Sequence, residues 1–184
     1  MNIHKNGFWL DMNSDGHYFD INLNSEMIKF LREEKINSII DLGCGNGSYS
    51  KEFKKEGFSC DCYDGNPNTK ELTGGLCSEI NLAEEIDLNK KYDCVVSLEV
   101  GEHIPKEFES IFIDNIIKHS KGLIILSWAV VGQGGRGHVN ERDNDYIEKT
   151  FLDKGWKRNK EKEKELREKS SLSWFKKTIM VYEI

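Results

Sequence analysis

This chain has no apolar run approaching the ~18–20 residues of a membrane span, and its first residues, Met1-Asn2-Ile3-His4-Lys5-Asn6, lack the apolar core of a signal peptide. A soluble, cytoplasmic protein is therefore expected. Positive charge is not in excess: 26 Lys and Arg stand against 32 Asp and Glu, a net charge of −6. That balance argues against nucleic acid as a partner, because nonspecific binding to phosphate backbones is mostly cation–phosphate attraction. No Cys-x-x-Cys pair occurs. The five cysteines, Cys44, Cys60, Cys62, Cys77 and Cys94, fall on or beside apolar stretches, so buried thiols in a reducing compartment are expected. No internal repeat is visible, and 184 residues leave room for one domain and little for a second.

Short apolar runs alternate with amphipathic stretches. A helix is expected from a cap at Asn24 or Ser25 to about Lys35, with Met27, Phe30, Leu31 and Glu34 on one face. Strands are expected at 38–42, 58–63, 75–78, 92–98 and 122–127, a sixth from Trp156 and a seventh at 174–184. Helices should fill 48–56, a short stretch to Leu72, 105–119 and 143–154. Pro105 suits a first helical turn, and Gly57 a helix stop. The sign-alternating run 160–169 is a solvated hairpin connection or helix. The pattern predicts a doubly wound, three-layer α/β/α domain. Its seven-stranded sheet is mostly parallel, with an antiparallel last strand. Residues 1–23 form an N-terminal segment with Phe8, Trp9, Tyr18 and Phe19, which either packs on the domain or serves as a lid.

The most telling stretch is Ile39-Ile40-Asp41-Leu42-Gly43-Cys44-Gly45-Asn46-Gly47. An apolar strand ends in an acid, and three glycines follow at alternate positions. Such a loop lets a ligand approach the backbone closely. The segment resembles the Asp/Glu-x-Gly-x-Gly-x-Gly motif of class I, Rossmann-like methyltransferases that use S-adenosylmethionine. The nicotinamide fingerprint would want a glycine where Ser48 stands. The resemblance covers residues 24–184 and implies that this stretch is the cofactor-binding domain.

S-adenosylmethionine carries an adenine, a ribose diol, a sulfonium and a zwitterionic tail, and no phosphate, so its site needs acids rather than a basic cradle. The resemblance implies that Asp41 lies near the methionine ammonium and that Gly43, Gly45 and Gly47 pass close to the cofactor. Asp64, before the turn Gly65-Asn66-Pro67, would accept hydrogen bonds from both ribose hydroxyls. Asn81 and Leu82 stand where the family binds adenine, usually with Asp in place of Asn81. Leu98 and Glu99 would flank the cofactor, and S-adenosylhomocysteine would be the product.

The segment Glu99-Val100-Gly101-Glu102-His103-Ile104-Pro105 looks like the Glu-His-x-Pro segment of many small-molecule methyltransferases. Transfer to an alcohol needs a base for its proton, and imidazole suits that task. His103 is the first candidate and Glu102 its neighbour. His138, in a glycine-rich loop after the fifth strand, is the second, and Trp128 at that loop's start is expected to line the acceptor pocket. The leading expectation is O-methylation of a small molecule, such as a sugar, with no metal. Three alternatives stand beside it. Glu99, Glu102, His103 and His138 resemble the metal ligands of RNA 3′-terminal ribose methyltransferases. A non-catalytic cofactor-binding subunit is another, and a nicotinamide oxidoreductase the last.

Overall fold

A computed structural model describes residues 2–11 and 16–184. Met1 and residues 12–15 of the expected N-terminal segment lie outside the described residues. The seven-stranded sheet has the order β3-β2-β1-β4-β5-β7-β6. β1 (Ser38–Leu42), β2 (Ser59–Asp64), β3 (Ser78–Glu79), β4 (Tyr92–Leu98) and β5 (Ser120–Ser127) run parallel. β7 (Met180–Glu183) is antiparallel to both β5 and β6 (Lys157–Arg158). The chain has the expected three layers.

Alternation along the central strands builds two cores. Ile40, Val95 and Ile124 face one side and meet Phe112 and Ile116 of α4 (Glu109–His119) and Phe151 of α5 (Asn144–Asp153). Ile39, Val96 and Ile125 face the other side. There they meet Met27 and Leu31 of α1 (Ile21–Glu33), Phe53 of α2 (Ser48–Lys55) and Leu166 of α6 (Lys160–Lys169). These strand residues are fully buried. No helix among the described residues is long and apolar enough to cross a membrane.

Several expectations are corrected. α1 starts earlier than Asn24, because Asp20 is the N-cap: its Oδ1 accepts from Asn22 N and Leu23 N at 3.1 and 3.0 Å. Its other oxygen accepts from Ser171 N and Leu172 N and ties the helix start to the C-terminal region. β3 lies at Ser78–Glu79 rather than 75–78, since a short helix, α3 (Thr69–Leu72), ends in the left-handed pair Gly74-Gly75. Residues 174–184 are not one strand. A single turn, α7 (Phe175–Thr178), precedes β7. The run 160–169 is helical and capped by Asn159. Cys62 and Cys77 form a disulfide that joins β2 to the chain before β3, leaving Cys44, Cys60 and Cys94 as buried thiols. Trp128 belongs to the core: it is fully buried, its Nε1 donates to Asn140 O at 2.7 Å, and its ring packs beside Phe112.

Candidate functional site

The carboxyl ends of β1, β2 and β4 open into a cavity of about 720 Å³. The β1 end is held to β2 through the backbone: Gly43 N and Cys44 N both donate to Tyr63 O, at 2.8 and 3.0 Å. Asp64 then takes two more donors, Gly45 N and Asn66 N, each at 2.9 Å. One carboxylate therefore positions the glycine turn and the turn after β2. Gly43 and Gly45 sit at φ +86 and +54, and a Cβ at either would drive into Val100 or His17. The overlap at Gly43, with Val100, is severe, whereas at Gly45 it is a tight 3.0 Å to the His17 ring, and both left-handed positions favour glycine.

Asp41 is 4% exposed and accepts from Ser50 Oγ at 2.5 Å. Burial pushes its carboxyl up to about 7; the Ser50 hydrogen bond opposes this and the Asp64 charge adds to it. Asn81 and Leu82 line the same cavity. The Asn81 carbonyl oxygen accepts from Ala83 N in a local turn, and its amide donates to Glu84.

Past β4 the backbone turns sharply. Glu99 takes φ +53, a left-handed conformation that costs a non-glycine residue about 1–3 kcal/mol. Ser127 on β5 holds it by accepting Glu99 N at its Oγ, 2.8 Å away. The Glu99 carboxylate accepts from Gln133 Nε2 at 2.7 Å and Thr178 Oγ1 at 3.1 Å. Burial raises its pKa against those hydrogen bonds.

The following turn, Gly101–His103, and the loop 128–142 bring Glu102, His103 and His138 together, with one ligand atom of each within 4.8 Å of the others. Glu102 is wholly buried, and neither carboxylate oxygen has a hydrogen-bond partner. Burial lifts its pKa well above the ordinary range, and the neighbouring Glu99 charge lifts it further. Its backbone oxygen accepts from Val139 N and Asn140 N, which docks the loop onto the turn.

His103 Nδ1 lies 3.2 Å from Gly137 O. A carbonyl can only accept, so Nδ1 carries the proton and Nε2 a lone pair. Burial, with His138 beside it, lowers the His103 pKa to about 4. His138 Nδ1 is 2.9 Å from Glu141 Oε1 and its Nε2 is 3.9 Å from Glu102 Oε1. Two imidazoles with their outer nitrogens engaged thus converge with an unpartnered carboxyl group. Such a set can accept a proton or hold a cation.

Described residues of the N-terminal segment line one side of the cavity. Residues 3–9 turn back on themselves through an Ile3–Trp9 bridge. This strap reaches both banks: Asn66 and Asn68 donate to Asp11 O and Leu10 O on one side, while Gly7 abuts the His103 carbonyl on the other. Trp9 stacks on His17, centroids 4.7 Å apart, and meets His103 edge-on at 5.7 Å. His17 Nδ1 is buried without a partner, and burial lowers its pKa.

All the expected cofactor residues except Gly47, together with Glu102, His103 and His138, line this one cavity. Gly47 sits at φ +75 as the cap of α2. Sequence reasoning did not single out His17, Gln133, Glu141 or Thr178. The first three sit in loops without periodicity, where only the folded backbone reveals what they face.

The family described as methyltransferase domain matches residues 17–159. Ubiquinone biosynthesis O-methyltransferases are among the similar proteins. That of Rickettsia conorii is 33% identical over 115 residues, which is 57% of this chain and 39% of the relative. That of Rickettsia canadensis is 34% identical over 99 residues, or 48% and 41% of the two chains. The matches thus span about two fifths of these curated relatives. Among solved structures, an amino pentose methyltransferase from Micromonospora echinaspora with bound S-adenosylmethionine superposes with a TM-score of 0.66 at 12% identity, over 87% of this chain and 89% of that one. Magnesium protoporphyrin IX methyltransferase from Synechocystis PCC 6803, with bound S-adenosylhomocysteine, gives 0.61 at 20% identity, over 87% and 80%. The methyltransferase domain of bacterial CtHen1 gives 0.59 at 16%, over 89% and 100%. At these identities the structures establish the fold alone.

Proposed function

The chain belongs to the methyltransferase-domain family and is a class I S-adenosylmethionine-dependent methyltransferase, and on that premise we propose that it methylates a hydroxyl of a small molecule. One observation carries this reading. Glu102, His103 and His138 converge, with both Glu102 oxygens unpartnered. An alcohol brings one proton that must leave as its oxygen attacks the sulfonium methyl, and His138 Nε2 offers a lone pair for it beside Glu102. In-line transfer to a good leaving group then rests on alignment and exclusion of water.

His138 is the general base in this scheme. His103, with a pKa of about 4, stays neutral and serves as a hydrogen-bond acceptor, since a base so far below working pH takes a proton poorly. Asp41 pairs with the cofactor's ammonium, and Asp64 takes the ribose hydroxyls while still holding Gly45. Asn81 and Leu82 border the adenine, and Leu98 and Glu99 the sulfonium side. Residues 2–11 and His17 act as the lid. The name O-methyltransferase borne by the Rickettsia relatives supports the choice of oxygen.

The test is transfer of labelled methyl from S-adenosylmethionine to a panel of catechols, hexosides and amines. Label in hydroxyl acceptors, lost in His138→Ala, is expected. Label in amines alone would sink the reading.

The unpartnered Glu102 carboxylate favours a second reading. Glu102, His103 and His138 would hold a divalent cation, which would polarise both hydroxyls of a terminal RNA ribose; Glu99 would complete the set only by leaving Gln133 and Thr178. The donor set fits: one buried carboxylate and two imidazoles suit such an ion. This reading predicts activity on an RNA 3′ end that a chelator abolishes and a divalent cation restores; under the first reading, transfer to the small molecule survives the chelator.

A further inference from the structure

One side chain, Glu141, gathers several groups of the loop after β5. Glu141 Oε1 accepts from Gly134 N at 2.7 Å and faces His138 Nδ1 at 2.9 Å, while Oε2 accepts from Gly132 N at 2.8 Å. Gly132 and Gly134 sit at φ +83 and +69, left-handed conformations that turn both N–H groups inward onto the carboxylate. The base of the loop is anchored separately, by Arg142 N to Ala129 O and by Val139 N and Asn140 N to Glu102 O. Glu141 thus gathers three donors from the tip.

A carboxylate can only accept, so His138 Nδ1 must carry a proton wherever this contact exists. In the neutral ring Nε2 then carries the lone pair and faces the cavity, towards Glu102, 3.9 Å away. Without Glu141 the imidazole loses the partner that selects its tautomer, and the two glycine amides lose their acceptor.

We infer that Glu141 is a positioning residue for methyl transfer. It fixes the His138 tautomer and locks the loop tip, so that Nε2 faces the reacting hydroxyl. The inference rests on the reading that places His138 at the reacting atoms. It makes no demand on the identity of the acceptor.

The experiment uses the full chain labelled with ¹⁵N-histidine and saturated with S-adenosylhomocysteine at pH 8, where an ordinary imidazole is neutral. Long-range ¹H–¹⁵N spectra report each imidazole tautomer, and His138→Ala identifies the signal. In the native protein His138 should show a protonated Nδ1 and a bare Nε2. In Glu141→Ala that pattern should be lost, and amide exchange at Gly132 and Gly134 should accelerate by about tenfold or more, as expected for a lost hydrogen bond. Glu141→Gln keeps one accepting oxygen and should restore the tautomer. The dissociation constant for S-adenosylhomocysteine should stay within about twofold in every variant, since losing Glu141 removes no group from the nucleoside end. An unchanged tautomer in Glu141→Ala, or a protonated Nε2 in the native protein, overturns the inference. Failure of the native protein to bind S-adenosylhomocysteine would instead strike at the cofactor assignment.

Discussion

Binding of the cofactor should respond to pH through Asp41. In the free protein, burial raises this carboxyl to about 7, so near neutrality it is split between its acid and its anion. The ammonium of the methionine tail needs the anion. With a value of about 7, roughly a tenth of Asp41 is ionised at pH 6 and three quarters at pH 7.5. Affinity for S-adenosylhomocysteine should therefore be about eightfold weaker at pH 6, or ~1.2 kcal/mol. Binding at pH 6 should release nearly one proton. Titration calorimetry in two buffers of different ionisation heat counts that proton. The stability of the free fold should move the other way. A carboxyl raised above its unfolded value of 3.8 contributes fully below that pH, and the contribution is lost as pH rises through about 7. Asp41→Asn should abolish both the proton release and the pH slope. Equal affinities at pH 6 and 7.5 in the native protein, with no proton released, would refute the placement of Asp41 at the ammonium.

Four further outcomes are expected. Asp64→Ala should weaken S-adenosylhomocysteine binding by about 1–3 kcal/mol, the range for hydrogen bonds to a charged group, as calorimetry will read directly. His17→Ala should weaken it by about 0.5–1.5 kcal/mol, because it removes a buried ring nitrogen that has no protein partner and would hydrogen-bond the cofactor. His138→Ala should lower kcat by about a hundredfold or more, the usual loss for a removed general base, with cofactor affinity unchanged. Asp93 should contribute to acid stability. Lys121 and the amides of Asn37 and Ser38 hold its pKa at about 2, so its contribution is present above 3.8 and lost as pH falls through about 2. Asp93→Asn should flatten that stretch of the melting-temperature profile.

The glycine motif and its acids were legible in the sequence because their constraint is local. A strand that ends in an acid and must turn at once favours glycines at those positions: Gly43 has no room for a side chain, and Gly45 is left-handed and tight against His17. The layers were legible from the alternation in β1, β4 and β5. Other features depended on distant chain. Asp20 wins the α1 cap over Asn24 because its second oxygen also binds Ser171 and Leu172, about 150 residues away. Trp128 looks like a loop residue in sequence, yet Gly101 leaves the space that its ring fills. The Cys62–Cys77 pair spans 15 residues and two strand ends, a spacing that carries no signal by itself. Glu141 reads as a surface acid until the left-handed glycines curl their amides around it.

Phe8 packs over Gly65 at the β2 end of the cavity, while Ile3 and Gly7 rest on Gly137 and His103 at the other. One short piece of chain therefore roofs two compartments at once. If this strap is the lid, spent donor and methylated product would leave through a doorway beneath it. If that doorway opens slowly, the first round of catalysis after mixing will outrun every later one, and the steady rate will measure hinge motion instead of bond making.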